Sequence, residues 1–299
     1  MKSFAWDDLQ FFLAVARAGQ LSRAARQLRT SHVTVSRRVD RLEQSLKLRL
    51  FERNPRGYEL TTHGRRLMAS AERIESETRR LEEAISGEAQ AQRGVVRLAM
   101  PEGFANFFTT RLLVRFMAQF PNLSPELVAL PQITSLSRRE TDISITLDPI
   151  RASPYHSEKL SDYTLRVYGA RDYLARHPPI TGKEMLSSHR FIGYIEEMIF
   201  SAGLDYLQEA HPAVRAQIKS SSLFNQLSAV RDGLGLGILP SYMARLHHDL
   251  VEVLGDDLQI HRTYWMNCHR DNFQNPRERA VMAFLREGMA RLGGLLVAS

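Results

Sequence analysis

A single cysteine, Cys268, stands among 299 residues, so no intrachain disulfide can form and no cysteine-built zinc cluster exists. That scarcity fits a reducing compartment, and a small buried hydrophobe is the plainest role for the thiol. Long apolar runs are missing as well. No stretch approaches the roughly 20 apolar residues of a membrane span, and Asp7 and Asp8 interrupt what would be the apolar core of a secretory signal. The expectation is a soluble, cytoplasmic protein with no membrane partner. The chain also contains no G-x-S-x-G elbow, no H-E-x-x-H pair and no Walker loop, and no carboxylate pair stands out as an acid and base couple. These absences point away from an enzyme, a metal site or a bound cofactor.

What is present divides unevenly. The length predicts about two domains, and 43% hydrophobic residues are enough for each to bury a core. Residues 1–66 hold 14 basic and 6 acidic side chains, residues 67–92 hold 3 and 6, and residues 93–299 hold 23 and 21. The excess positive charge therefore sits in the first fifth of the chain, as in a small nucleic-acid-binding module carried by a larger, nearly neutral domain.

In the basic end, Leu9, Phe12, Leu13 and Ala16 recur at the spacing of one helix face, and Gly19 stops the pattern. Leu21, Ala24, Ala25 and Leu28 predict a second, short helix. Ser31 is a good N-cap for a third, with Val35, Val39, Leu42 and Leu46 inward. Its outer face carries His32, Ser36, Arg37, Arg38 and Arg41. A short helix, a turn and a longer helix with a basic outer face describe a helix-turn-helix, whose last helix enters the major groove. Beyond it, Leu50-Phe51, a turn at Arg53-Asn54-Pro55-Arg56-Gly57, and Tyr58 with Leu60 predict a basic-tipped hairpin, a wing. The candidate DNA contacts are Ser22, Ser31, His32, Val33, Thr34, Ser36, Arg37, Arg38 and Arg41 on the helices, with Arg53 and Arg56 at the wing tip placed to meet phosphates.

The run TSHVTVSRRVDRLEQSLKLRLFERNPRGYELTTHG resembles the N-terminal signature of LysR-type transcriptional regulators. The matching pieces are Ser36-Arg37, Leu42-Glu43, Leu50-Phe51-Glu52-Arg53 and Leu60-Thr61-Thr62-His63-Gly64. The resemblance implies base-reading positions at His32, Val33, Ser36 and Arg37. Lys47 departs from it where glycine is usual, and Val33 where proline is common.

From Thr61 onward Leu67, Ala71, Ile74, Thr78, Leu81 and Ile85 are spaced 4, 3, 4, 3, 4, a heptad seam with charged flanks. A helix from Thr62 to Ala89 would be about 42 Å long. Pairing with a second copy of the chain is the simplest way to cover such a stripe; packing along the second domain is the alternative. The resemblance also implies a dimer arm.

The remainder reads as α/β. Val95 to Met100, Asp142 to Leu147, Leu165 to Ala170 and Phe191 to Tyr194 predict strands, and Phe108, Leu112, Phe116 and Phe120 predict a helix stopped by Pro121. SSSLFNQLSAVRDGLGLGILPSYMA is similar to a LysR-type effector-domain segment, implying the two-lobed fold of type 2 periplasmic solute-binding proteins. Gly233, Gly235 and Gly237 invite a dinucleotide fingerprint, but a helical pattern precedes them and Pro240 follows, so Gly233 reads better as a helix C-cap. His247-His248 reads as surface.

The expected organisation is a winged helix-turn-helix DNA-binding domain at 1–64, a linker or dimerisation helix at 65–92 and a two-lobed α/β effector-binding domain at 93–299, mixing α+β and α/β architecture. Ligands of such clefts bind where strand ends meet helix starts. The candidates are Met100, Pro101, Glu102, Gly103 and Phe104; Leu147 and Asp148; Tyr194, Ile195 and Glu196; and Ser221, Ser222 and Phe224. Glu102, Asp148 and Glu196 there discourage a plain dicarboxylate. The expected partners are double-stranded DNA, a small-molecule effector, the chain itself as homodimer or homotetramer, and optionally RNA polymerase. A nucleoid-type protein that ignores small ligands is the rival reading.

Overall fold

The computed structural model describes residues 5–54, 57–86, 93–129, 141–151 and 153–297. The chain forms two compact units, Met1–Gly87 and Glu88–Ser299.

The first unit contains α1 (Asp7–Ala18), α2 (Leu21–Gln27) and α3 (His32–Leu46), the hairpin β1 (Phe51–Asn54) and β2 (Gly57–Leu60), and α4 (Thr62–Ser86). The inward faces expected of the three helices do meet. Phe12, Leu13, Ala24, Ala25, Val35, Val39 and Leu42 share one buried cluster, closed from the hairpin side by Leu50 and Phe51. Ser31 caps α3, its side chain accepting the Thr34 amide. Lys47 ends α3 in the left-handed region at φ 54°, which gives the usual glycine a physical reason: a Cβ there costs roughly 1 kcal/mol.

Thr61 caps α4 and ties it to the wing. Its hydroxyl accepts from the Gly64 amide at 3.0 Å and donates to the Arg49 carbonyl at 2.8 Å. Gly64 packs so closely there that a Cβ would lie 2.1 Å from the Leu50 carbonyl oxygen. Farther along, the expected seam is partly used within the unit. Met68 and Ala71 are buried and Leu67 and Ile74 pack on the same cluster, while Arg17 holds Glu75 at 2.5 Å. The first half of the stripe is thus covered by the first unit itself, neither by a second copy nor by the second domain. The side chains of Leu81 and Ile85 lie outside the described residues.

The second unit is built on one nine-stranded mixed sheet ordered β4-β3-β5-β11-β6-β9-β7-β8, with β10 also on β6. Its strands are β3 (Gly94–Met100), β4 (Leu123–Ala129), β5 (Ile143–Thr146), β6 (Tyr155–Ala170), β7 (Phe191–Gly193), β8 (Ala216–Lys219), β9 (Leu236–Pro240), β10 (Leu250–Val253) and β11 (Ile260–His269). Parallel pairs lie toward both ends. Between them runs the antiparallel pair β6–β11, with a bulge at Tyr264/Trp265. β5 joins β11 at Trp265–Cys268 and β9 joins β6 at Leu165–Gly169, so the two long strands pass from one α/β lobe into the other.

The helix expected around Phe108 is interrupted. Phe108–Leu112 forms a π-turn between Glu102–Phe107 and Leu113–Gln119. Apolar residues spaced strictly by four drift about 40° per step around a 3.6-residue helix, and one wider turn returns them to a single face. Phe108, Leu112, Phe116 and Phe120 are all buried. Gly233 follows the helix Leu223–Arg231 at φ 71°, as a C-cap does. No described helix is long and apolar enough to cross a membrane.

Candidate functional sites: a helix face and an aromatic cavity

Half of the basic face of α3 is already occupied. Asp8 on α1, only 1% exposed, accepts from Arg38 Nη1 at 3.1 Å, Arg41 Nε at 2.6 Å and Arg41 Nη2 at 2.5 Å. The carboxylate raises the Arg41 guanidinium's already high pKa. Arg38 also lies over the Phe11 ring at 5.2 Å. Both arginines, expected from sequence to face DNA, also brace α3 against α1, with Arg38 29% and Arg41 51% exposed. What stays open is the N-terminal part of the helix. His32 and Arg37 are exposed, and Val33 is 64% exposed. Among the described residues Arg37 has no ion-pair or hydrogen-bond partner. Ser36, half-buried, donates to Asp40 at 3.3 Å. Thr34 and Ser31 hydroxyls meet at 2.9 Å, and Ser22 is exposed on α2.

The wing arginine is likewise committed. Arg53 pairs with Asp40, lies 3.4 Å from Glu43 and sits over the Tyr58 ring at 5.4 Å. Arg56 lies outside the described residues. Glu43, which sequence reasoning used only as a motif letter, is the organising group: its buried carboxylate accepts the amides of Leu50 at 2.7 Å and Phe51 at 3.1 Å. The Leu-Glu and Leu-Phe-x-Arg pieces are therefore two ends of one contact, which positions β1 below the C-terminal half of α3.

In the second unit a cavity of about 690 Å³, counting its open mouth, lies where the two lobes share β6 and β11. Pro101, Glu102, Gly103, Leu147, Tyr194 and Ser221, all anticipated from sequence, line it. Seven other expected residues do not. Met100 and Phe104 point into the core, Phe104 standing edge-on behind Tyr264 at 4.9 Å. Asp148 accepts from Ser201 Oγ at 2.5 Å beside the wall. Ile195 is absent from the lining, and exposed Glu196 pairs with Lys219 at 2.9 Å, a contact that holds its carboxyl below the usual range. Phe224 is 40% exposed on the outer side of its helix. Successive residues on a strand or helix turn to different faces, so a contiguous run necessarily includes residues that face away from the cavity. Ser222 also falls outside the lining, yet its hydroxyl donates to Glu102 at 3.2 Å.

The sequence reading missed most of the wall: Tyr163 and Leu165 on β6, Tyr264 on β11, Pro240 on β9, and Met198, Phe200, Leu204 and Tyr206 after β7, with Leu223. Tyr163 and Tyr264 stack at 4.2 Å, and Tyr264 exchanges a hydroxyl contact with Tyr242 at 2.8 Å. Burial pushes Tyr163, Tyr194, Tyr206 and Tyr264 well above the usual phenol range, so all four are neutral. Among the described residues Glu102 is the one formally charged side chain in the lining.

Comparison with known proteins places both sites in one context. Residues 6–65 match the family described as "Bacterial regulatory helix-turn-helix protein, lysR family", and residues 89–290 match "LysR substrate binding domain". The chain is similar to the HTH-type transcriptional regulator CrgA of Neisseria meningitidis serogroup C, 29% identical over 190 residues, which is 64% of each chain; the match thus spans less than two thirds of that relative. It is also similar to the HTH-type transcriptional regulator PtxR of Pseudomonas aeruginosa, 27% identical over 79% of this chain and 77% of the relative. The solved structure of CrgA from Neisseria meningitidis superposes with a TM-score of 0.57 at 25% identity, covering 96% of this chain and 99% of that one.

Proposed function

This chain belongs to the LysR family, and from that premise we propose that it is a sequence-specific DNA-binding transcription regulator whose C-terminal unit senses a small molecule. The observation that carries the reading is the exposed stretch His32, Val33 and Arg37, unpartnered among the described residues, at the N-terminal end of a helix braced by its other arginines. A rigid helix with a free guanidinium can present that fork to guanine, which it bonds bidentately. Two copies of the chain, joined through the α4 arm as a homodimer or homotetramer, would place two such helices on one duplex. The stripe continuing at Thr78, Leu81 and Ile85 supports that role. RNA polymerase is then a further partner, and the cytoplasm the compartment. The effector acts by favouring one arrangement of the assembly over another, since equal affinity for both shifts nothing.

Protection mapping on DNA upstream of neighbouring genes, with and without small molecules, tests the proposal. A discrete protected site that changes with a metabolite is the expected result. Salt-dependent binding with no preference among random oligonucleotides favours the nucleoid reading instead.

A further inference from the structure

We propose that the effector is a small organic cation, an amine on an apolar body, and that Glu102 is the residue selecting it. This rests on the regulator reading for the cavity's role, but the argument is the cavity's own chemistry. The helix Leu223–Arg231 opens on the cavity wall, and such a helix start offers amide donors to a carboxylate or phosphate. Here the chain fills that place itself. Glu102 Oε2 accepts the Leu223 amide at 2.6 Å and the Ser222 hydroxyl at 3.2 Å. Ser222 in turn accepts the Asn225 amide at 3.4 Å, and the Ser222 amide donates to Ser220 Oγ at 3.2 Å. An anionic ligand would find these donors taken by a fixed negative charge.

Among the described residues no cation in the lining compensates. Arg262, whose charge acts on Tyr163 and Tyr206, is engaged by Glu209 and by the Gly203 carbonyl at 3.2 Å and is not among the described lining residues. Among the described residues nothing donates to Glu102 Oε1, which leaves one carboxylate oxygen for a ligand. The same cavity is lined by the rings of Tyr163, Tyr194, Tyr206, Tyr264 and Phe200. A carboxylate set among electron-rich rings attracts cations and repels anions. Glu102 acts electrostatically on this wall already, adding to the upward push on the Tyr194 phenol.

The test uses the full-length protein and probes matched in shape but not in charge: benzylamine and phenethylamine, benzyl alcohol, and benzoate, titrated calorimetrically into the wild type and Glu102→Gln. The amines should bind at least about tenfold more tightly than benzoate. In Glu102→Gln that ratio should collapse to about one while benzyl alcohol affinity stays within about twofold. Benzoate equal to or tighter than the amines, an unchanged ratio in Glu102→Gln, or no binding by any probe overturns the proposal. Gel shifts of the same samples separate the two readings. Selective DNA binding with the wrong ligand preference removes only the cation assignment, whereas sequence-indifferent DNA binding removes the regulator reading and leaves the cavity's preference standing.

Discussion

Asp8 in the first unit and Glu102 in the second are carboxylates doing the same kind of work at different kinds of site. Asp8 takes up two of the three arginines that a helical wheel would hand to DNA, and leaves Arg37. Glu102 takes up the amide and hydroxyl that a cleft would hand to an anion, and leaves one oxygen. In both units the count of charged or donor groups overstates what a partner can reach. The useful quantity is what remains after the chain has satisfied itself. Another buried carboxylate, Glu278, shows what happens when satisfaction is incomplete. Set beside Arg277 at 2.6 Å, with Asp142 near the same guanidinium, it is pushed by burial to a pKa of about 7.

The largest effect sharpening this contrast belongs to Glu278. Its folded pKa lies above the unfolded value, so its contribution is fully present below pH 4.5 and lost as pH rises through about 7. Relative to Glu278→Gln, the wild type should lose up to about 3 kcal/mol across that window. Parallel urea unfolding at pH 5 and pH 8 measures it, and a constant difference between the two proteins would break the argument.

Asp8→Ala comes next. Losing the buried carboxylate should destabilise the first unit by about 2 kcal/mol, yet it frees two guanidinium groups, so the slope of DNA affinity against salt should steepen by about one to two units. An unchanged slope would mean that Arg38 and Arg41 contact phosphate in the wild type despite Asp8.

Arg37→Ala should cost about 1–3 kcal/mol on the preferred DNA site and relax selection at one base while leaving stability unchanged. Competition with single-base variants of that site reads it out; equal weakening on all sequences would make Arg37 a phosphate contact. Smallest of all is Lys47→Gly, which should raise the stability of the first unit by up to about 1 kcal/mol by relieving the left-handed backbone at φ 54°. A lower midpoint of denaturation would show that the lysine makes a compensating contact.

Legibility followed the same line. The order of α1, α2, α3 and wing was readable because each element carries its own period and stop signal, as Gly19 and Ser31 do. The long strands were only half readable. Leu165 to Ala170 stood out because it is continuously buried, whereas Tyr155 to Asp162 is partly exposed and mixed in composition. β11 gave no clean alternation because it pairs on both edges and bulges at Tyr264/Trp265. In the cavity, the residues at strand-to-helix junctions were found and those reached by chain crossing were not. Tyr163 and Tyr264 lie a hundred residues apart and stack only because β6 and β11 pair.

The amino-acid order alone determined the things that are local: the spacing that makes each helix two-faced, the caps that start them, the concentration of positive charge at one end, and the turn chemistry of the wing. Which of those charges stay free was decided by tertiary structure, because Asp8 meets Arg41 and Glu102 meets Leu223 across 33 and 121 residues of chain. Periodicity specifies the direction a side chain faces relative to its own element. Its partner is fixed only once burial has brought distant elements together, and a buried carboxylate then takes whichever donors lie within reach.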